Sequence, residues 1–421
     1  MSELARMKRL LVIANPFPPM ASAGTTRVVR FLRHLPERGW EPTVLTARAK
    51  GPAPVPPGVR IERAPVPVPA PLLRGGRRST RANQWVFVPD PYAPWVPGAI
   101  WLGRRLIAEG GGGKGGARHE GAGAPDAGGF DAIFSSSPRP SVHVVAALLA
   151  RRSDVPWLAD YRDPWTTYQF RHYPTPAHRE AHRRLEAWCL KHAAAVTAVN
   201  QPIADDLLAR HAFLRGRLHV LPNGFDPAEP ADRVELDPGF WFVHTGRLYG
   251  REPQTAAFLA ALAGLPDDVG ALFVGIDESR VRPVADRLGL GARVRVEPLV
   301  PHARSLGLQR AAGALLLVNG RRPEAMSSKV YEYLQAGRPV FAISPQGSAA
   351  RALFAGTGGA VCVTPDEPMS EPLAAFVAAV RAGSGPRADA GALEPYEVGS
   401  LTDELAGILE GMDAPHHSPA D

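Results

Sequence analysis

The sequence predicts an α/β protein of two domains, each built around a doubly wound parallel sheet. The chain has 421 residues, more than the about 250–300 at which a single hydrophobic core stops growing. Short apolar runs typical of buried parallel strands alternate with segments of helical spacing. The alternation starts again in the second half of the chain, as expected for a second domain of the same kind.

The first half opens with a strand, a helix and a second strand, at 9–14, 25–38 and 42–47. Further elements are expected as helices at 97–108, 141–152 and 176–192, and as strands at 132–134, 157–160, 195–199 and 218–221. Residues 50–80 are rich in Pro and Arg and are predicted to be irregular. The Gly-rich segment 110–129 is predicted to be a flexible surface loop.

The second half repeats the pattern. Strands are expected at 240–244, 271–274, 293–297 and 314–318, with helices at 254–262, 281–288 and 303–311. We therefore expect an N-terminal domain over 1–228 and a C-terminal domain over 229–395. An amphipathic helix within 396–412 is expected to pack back towards the first domain, and 413–421 to be a disordered tail.

Composition indicates a soluble globular protein of a reducing compartment. Hydrophobic residues make up 45% of the chain and charged residues 21%. No apolar run approaches the roughly 20 residues that a membrane-spanning helix needs. Cys189 and Cys362 form neither a metal-ligand spacing nor a disulfide framework. The expected location is the cytoplasm.

Charge is divided unevenly along the chain. Residues 1–230 carry 31 Lys and Arg against 18 Asp and Glu, a net +13, whereas 231–421 carry 17 against 23. Such a basic half suggests an anionic partner, either a phospholipid surface, a polyphosphate substrate or nucleic acid. The alternative is that the Arg-rich composition merely supplies spare surface arginines. Nucleic acid ranks last, because the chain has no recognition motif.

A membrane surface would be met by particular residues. The candidates are the arginines of 25–38 and 72–81, together with the aromatic residues Trp85, Phe87, Tyr92 and Trp95, all expected to be exposed.

The segment EAMSSKVYEYLQAGRP, at 324–339, combines a short helix with charged groups. Lys329 follows Ser327 and Ser328 at the expected start of the helix, where free backbone amides would favour an anion. Glu324 and Glu332 lie eight positions apart on either side. Two carboxylates in this arrangement are suited to accept hydrogen bonds from sugar hydroxyls.

This spacing, followed by GRPV, resembles the signature of the retaining family-4 glycosyltransferases, whose GT-B fold has two facing Rossmann-like lobes with a cleft between them. The resemblance extends over most of the chain. NPFPPMASAG, VLPNGFD and HTGRLYGRE are similar to family segments in the same order. VPDPYAPW, FSSSPRPSVH and LADYRDPW resemble segments of a bacterial polysaccharide-synthesis branch.

The resemblance implies roles for residues that would hold a nucleotide-diphosphate sugar. Glu332 would accept from the ribose hydroxyls and Glu324 from the hydroxyls of the transferred sugar. Arg247 and Arg251 would neutralise the diphosphate, and these two arginines together with Glu324 would be the catalytic residues. The remaining donor-binding candidates are Lys329, the amides near Ser327 and Ser328, Gly246 of the G-R-L motif, and Gly24, which would let the opening loop approach the donor.

Neither a metal nor a cofactor is expected. The chain has no D-x-D motif at a suitable strand end, so arginines and the helix dipole would replace a divalent ion.

The acceptor candidates are Asp163, Arg162 and His143. Asp163 in RDPW could bind an acceptor, but capping a helix or pairing with Arg162 would explain it equally well. Many relatives carry a histidine after the strand equivalent to 132–134, where this chain has SSSP. His143 lies about two helical turns further on, which favours a structural role.

The expected activity is transfer with retention, from a nucleotide sugar to a saccharide or polyprenyl-diphosphate-linked acceptor, in the synthesis of an exopolysaccharide, capsule or O-antigen. Two alternatives stay open. A sugar-nucleotide epimerase can use the same fold without an acceptor, and a catalytically degenerate relative would act as a scaffold.

Overall fold

The computed structural model describes residues 6–20, 23–51, 53–68, 83–110, 129–168, 171–248, 250–319 and 326–412. The chain divides into two compact units, one of residues 1–222 with 401–421 and one of residues 223–400. The boundary therefore follows Pro222 rather than residue 228. Phe225 forms a β-bridge with Glu397, so the residues just after Pro222 belong to the second unit. The predicted loop 110–129 and tail 413–421 lie almost entirely outside the described residues.

The first unit contains a seven-stranded parallel sheet in the order β3-β2-β1-β4-β5-β6-β7. Its strands are β1 Lys8–Ala14, β2 Trp40–Ala47, β3 Arg60–Ala64, β4 Ala132–Ser136, β5 Trp157–Tyr161, β6 Ala195–Ala198 and β7 Leu218–Val220. Strand order reverses between β1 and β4, which makes this pair the topological switch point of the sheet. The prediction of an irregular segment over 50–80 was wrong at β3. This edge strand has a single fully buried residue, Ala64, so it lacks an apolar pattern.

Helices cover both faces of a doubly wound sheet. In the first unit they span Ala23–His34, Val96–Gly110, Ser141–Ser153, Pro176–Lys191 and Gln201–Arg210. The helix Ser141–Ser153 packs against both Val96–Gly110 and Pro176–Lys191, so these three form one layer. No described helix is long and apolar enough to cross a membrane.

The second unit repeats the architecture with six parallel strands in the order β10-β9-β8-β11-β12-β13. They are β8 Phe240–Thr245, β9 Val269–Val274, β10 Val294–Glu297, β11 Ala314–Val318, β12 Val340–Ile343 and β13 Ala360–Val363. The helices are Glu252–Ala263, Arg282–Arg287, His302–Ala311, Lys329–Gln335, Ala349–Thr357, Ser370–Arg381 and Ala390–Leu393. Two apolar clusters pack against this sheet. The fold class is confirmed in both units.

The last helix, Val398–Glu410, joins the first unit from Leu401 onwards. Lys8 forms an ion pair with Glu410 at 2.9 Å, and Arg38 forms one with Asp403 at 2.9 Å. Leu401, Leu405 and Leu409 are buried. An apolar face, rather than the surface ion pairs, therefore supplies most of the stabilisation.

A buried ion pair fixes the centre of the first unit. Asp160 on β5 accepts from Nε and Nη2 of Arg27, both at 3.1 Å, and from the hydroxyls of Ser136 at 2.6 Å and Thr197 at 2.8 Å. The Arg27 guanidinium also donates to the carbonyl of Leu221 at 2.8 Å and to that of Pro222. Burial alone would raise the pKa of Asp160, but Arg27 and the two hydroxyls hold it below its ordinary value of 3.8.

The structure corrects several of the residues predicted to meet a membrane. Arg27 and Arg30 are buried, and so are Tyr92 and Trp95, which belong to the core of the first unit. Phe87 is half-buried, whereas Trp85 is exposed. The whole of the basic segment 72–81 lies outside the described residues.

Candidate functional site

The candidate site lies at the carboxyl ends of β8 and β11, the neighbours between which strand order reverses in the second sheet. Ligands of doubly wound sheets bind at this switch point. Gly246 directly follows β8 and Asn319 directly follows β11. The sheet therefore brings the HTGRLYGRE and SSKVYEY segments to the same edge.

Lys329 lies directly over Gly246. Gly246 has φ 83°, and a Cβ built on it would meet Cε and Nζ of Lys329 at 2.5 Å. Its N–H donates to the carbonyl of Val274 at 2.6 Å, which fixes the turn after β8. Only glycine provides both the left-handed backbone and the space for the lysine.

Positive charge is concentrated around Lys329. The pKa of Lys329 is lowered to about 8, chiefly by burial and also by the nearby Arg251, while Glu332 acts in the opposite direction. Burial also lowers the pKa of His244 to about 3, with Lys329 and Arg251 adding to the effect. Two cations that depress neighbouring pKa values form a site in which a bound anion would be stabilised.

The predicted arginines differ in how they are held. Arg251 precedes the helix Glu252–Ala263 and donates from Nη1 to the carbonyl of Val318 at 2.8 Å, so it is anchored to the end of β11. Arg247 is exposed and has no hydrogen bond or ion pair to the part of the chain that the structure describes. Arg251 is thus preorganised, whereas Arg247 is an exposed cation at the surface.

Glu332 belongs to a polar network beneath the site. The Nε2 of the buried Gln309 donates to Oγ1 of Thr245 at 3.1 Å and to Oε2 of Glu332 at 3.3 Å. The Tyr333 hydroxyl accepts from the Thr245 N–H at 3.0 Å, and burial raises the pKa of Tyr333 to about 12. Glu332 is half-buried and held from one side. Sequence reasoning missed Gln309, although a glutamine among apolar residues in SLGLQRA was a signal.

The first three amides of the helix that follows Ser328 are occupied. The helix Lys329–Gln335 begins after Ser328, and the carbonyls of Ser327 and Ser328 accept from Val330 at 3.1 Å and Tyr331 at 3.2 Å. The Ser327 hydroxyl accepts from the Lys329 N–H at 3.4 Å. In this short helix the ammonium of Lys329, rather than the amides of Lys329, Val330 and Tyr331, offers a group for an anion.

Glu324 and Gly24, also predicted for the donor site, are not among the residues that the structure brings together there. Glu324 lies outside the described residues. Gly24 was placed in the opening loop, but it lies in the first turn of the helix Ala23–His34, because the helix starts two residues earlier than predicted.

The acceptor candidates lie in the first unit, at the carboxyl ends of β4 and β5. Asp163 is half-buried, and the described residues give it no hydrogen bond or ion pair, so it neither caps a helix nor pairs with Arg162. Burial raises the pKa of Asp163, with Arg162 opposing the shift. The Arg162 N–H donates to the Ser137 hydroxyl at 2.9 Å, which joins the two strand ends.

His143 is a core residue. Its ring stacks on Tyr161 with the centroids 4.8 Å apart, and its Nδ1 lies 2.8 Å from the Ser135 hydroxyl, which accepts from the Trp157 indole at 2.7 Å. Burial lowers the pKa of His143 to about 4. A fully buried, neutral histidine cannot contact an acceptor, so the structure corrects that candidate.

One known family of domains matches most of the first unit. Residues 22–224 match the model of the glycosyl transferase 4-like domain. The resemblance to family-4 glycosyltransferases of GT-B fold is thereby confirmed. A comparison with curated proteins found no match.

Solved structures share the fold over nearly the whole chain. HepE from Anabaena, in complex with UDP and glucose, is 16% identical with a TM-score of 0.63, over 97% of this chain and 100% of HepE. Sucrose-phosphate synthase from Thermosynechococcus elongatus is 15% identical with a TM-score of 0.60, over 96% and 95%. WaaG, a glycosyltransferase involved in lipopolysaccharide biosynthesis, is 15% identical with a TM-score of 0.57, over 96% and 100%. Together with the domain match, these structures support a glycosyltransferase.

Proposed function

We propose that this protein transfers a sugar from a nucleotide-diphosphate sugar to a saccharide acceptor, with retention of the anomeric configuration. The observation that carries the proposal is the placement of Lys329 over Gly246, beside the anchored Arg251, at the switch point of the second sheet. HepE, which has the same fold, was solved with UDP and glucose. A diphosphate is an anion that suits this pair of cations.

Sugar transfer requires that the charge developing on the leaving group is stabilised. The bond between the anomeric carbon and the phosphate oxygen breaks, and its electron pair goes to the diphosphate. A bond from the acceptor oxygen forms on the same face, while the acceptor proton moves to the departing phosphate oxygen. Lys329 and Arg251 face the charge that develops, so they supply the electrostatic part of catalysis. A covalent nucleophile is not required.

Glu332 is proposed to accept the ribose hydroxyls. Gln309 donates to Oε2 of Glu332 from inside the unit, which fixes the carboxylate while Oε1 has no bond to the described residues. Glu324 keeps its proposed role towards the transferred sugar. Arg247, exposed beside Gly246, is proposed to close on the diphosphate when the donor binds.

The reaction is proposed to need no metal. The described residues contain no group of three or more His, Cys, Asp or Glu side chains able to hold an ion. The positive charge of Lys329 and Arg251 would serve the purpose for which other transferases use a divalent cation. Activity that survives EDTA would support this part of the proposal, and activity lost with EDTA and restored by Mg²⁺ or Mn²⁺ would refute it.

The acceptor is proposed to bind the first unit at Asp163 and Arg162. Asp163 is a half-buried carboxylate without a partner among the described residues, which suits a hydroxyl donor. The net charge of +13 over residues 1–230 favours an acceptor linked to a polyprenyl diphosphate. WaaG, of the same fold, acts in lipopolysaccharide biosynthesis, and we propose a related cell-surface polysaccharide pathway for this protein.

A thermal-shift screen tests the donor site. The purified protein is screened against UDP, GDP, dTDP, ADP and CMP and their sugar conjugates, with EDTA and then with Mg²⁺. One diphosphate series should raise the midpoint of unfolding, by an amount set by concentration over Kd. The shift should largely disappear in Glu332→Ala and persist in Glu371→Ala, an exposed glutamate of the same unit. A folded sample that responds to none of these compounds would refute the donor site.

A pair of glycine variants tests the contact with Lys329. Gly246→Ala and Gly383→Ala place a Cβ at similar backbone angles, φ 83° and 76°, but only the first meets another residue, Lys329. Both should lose about 1 kcal/mol of stability. Gly246→Ala alone should weaken diphosphate binding by about tenfold or more, because it displaces the ammonium. Equal diphosphate affinity in the two variants, measured by calorimetry, would contradict the assignment of Lys329.

A further inference from the structure

Exposed apolar side chains lie on the layer of three helices of the first sheet and on the segment that precedes it. Trp85 is 60% exposed, Val86 71% and Trp101 65%. These are the exposed tryptophans of the described residues, and the other large exposed hydrophobics are scattered elsewhere. Side chains of this size in one region of a surface usually mark a site of interaction.

One ring contact and the sheet topology place the two tryptophans towards the carboxyl edge of the sheet. The Trp85 ring packs edge-on against His178, with the centroids 5.6 Å apart, in the first turn of the helix Pro176–Lys191. Trp101 lies in the second turn of the helix Val96–Gly110. Crossover helices run antiparallel to the strands that they connect, so the first turns of both helices lie near the carboxyl edge of the sheet.

Basic residues accompany the tryptophans. Arg104 and Arg105 follow Trp101 on its helix, and Arg179, Arg183 and Arg184 are exposed on the helix Pro176–Lys191. Acidic neighbours offset two of them, because Arg105 pairs with Glu109 at 2.6 Å and Arg184 with Glu180 at 2.8 Å. The described residues give Arg104 and Arg183 no ion pair. The surface therefore keeps a net positive charge.

We infer that this surface, formed by Trp85, Val86, Trp101 and the five arginines, binds a membrane that contains anionic lipid. Tryptophan side chains favour the level of the lipid headgroups, and arginines beside them attract anionic headgroups. Apolar contact and charge together give reversible attachment of a protein without a spanning helix. The location differs from the helix at 25–38, whose Arg27 and Arg30 are buried.

The inference deepens the proposed function and rests on it for the acceptor. Asp163 and Arg162 follow β5 at the carboxyl edge of the same sheet. A membrane held beside this edge would present a polyprenyl-diphosphate-linked saccharide to the acceptor residues. The partner is a lipid surface, and the acceptor is drawn from it.

Co-sedimentation of the full chain with vesicles tests the surface. The protein should bind vesicles of equal parts phosphatidylglycerol and phosphatidylcholine, and bind phosphatidylcholine alone at least tenfold more weakly. The variant Trp85→Ser with Trp101→Ser should lose at least tenfold in partitioning. Leu299→Ser, which removes a residue that is 76% exposed in the second unit, should bind like the wild type.

A charge reversal has its own control. Arg183→Glu with Arg184→Glu should weaken binding to the anionic vesicles by at least tenfold, since each basic residue near the surface contributes roughly fivefold. Arg151→Glu with Arg152→Glu makes the same change at the opposite end of the helix layer and should have little effect. Both pairs are exposed, so folding should survive.

The outcomes separate this inference from the proposed function. The inference would be refuted if the tryptophan variant and the wild type bound equally well, or if the wild type did not bind anionic vesicles. Thermal shifts with the nucleotide diphosphate should be the same in the tryptophan variant and the wild type. A protein that binds vesicles but no nucleotide would support the membrane-binding surface and refute the donor site.

Discussion

Replacing Lys329 with methionine is expected to lower kcat for sugar transfer by about 10²–10³-fold, the usual effect of removing one preorganised group that faces developing charge. Methionine keeps the length and apolar contacts of the side chain over Gly246 but removes the ammonium. The cost should be larger in kcat than in KM, because charge on the diphosphate is greatest when the anomeric bond breaks. Steady-state kinetics with the donor identified by thermal shift would measure it.

The pH dependence gives this prediction a second measurement. The pKa of Lys329 is lowered to about 8 in the free protein, so donor affinity should fall as pH rises through that value. In Lys329→Met this fall should be absent. Arg287→Met, which removes an exposed arginine of the same unit, should change neither kcat nor the pH dependence of donor affinity. A Lys329→Met enzyme with wild-type kcat would contradict the proposed role.

Replacing Asp160 with asparagine is expected to lower the free energy of unfolding by about 3–5 kcal/mol, the usual cost of leaving one partner of a buried ion pair uncompensated. Asparagine matches the shape of aspartate, so packing is preserved. It cannot neutralise Arg27, whose side chain is buried and held by four oxygens. The apparent unfolding midpoint should fall by roughly 10 °C.

Acid sensitivity and a double variant test the same ion pair. Asp160 has a pKa below its ordinary value of 3.8, so its ion pair stabilises the fold above that pH and the contribution is lost as pH falls below it. The difference between wild type and Asp160→Asn should therefore be constant near neutrality and shrink below about pH 4. Arg27→Met with Asp160→Leu should recover much of the lost stability. An Asp160→Asn protein as stable as the wild type would show that the ion pair contributes little to the free energy of unfolding.

Strands with continuous burial were predictable from the sequence to within a few residues. The strand β11 was predicted at 314–318 and is Ala314–Val318, because five apolar residues on a central strand produce an unambiguous pattern. The edge strand β3 was missed, since RIERA buries one residue fully. The prediction that the aromatic residues of 85–95 are exposed was wrong in part. Nothing in the local sequence distinguishes the exposed Trp85 from the buried Tyr92 and Trp95.

The candidate site was predictable where neighbouring residues define it. Lys329 and Glu332 share one short helix, so their proximity follows from the sequence. The contact of Lys329 with Gly246 joins two distant segments, and it depends on which strands are adjacent in the sheet. Gln309 and the Arg27–Asp160 pair were missed for the same reason. The local sequence shows that such residues are polar, but the order of strands in the sheet determines which residues they contact.

The first unit is discontinuous along the chain, and this has a consequence for its biogenesis. Lys8 and Glu410, which pair within it, are 402 positions apart, with the whole second unit between them. Chains emerge from the ribosome with their N-terminus first, and domains generally fold as units during synthesis. The first unit is therefore translated first but completed last, since Leu401, Leu405 and Leu409 reach their buried positions only after the second unit has been made. Until then, the nascent first unit exposes the apolar surface that these leucines cover.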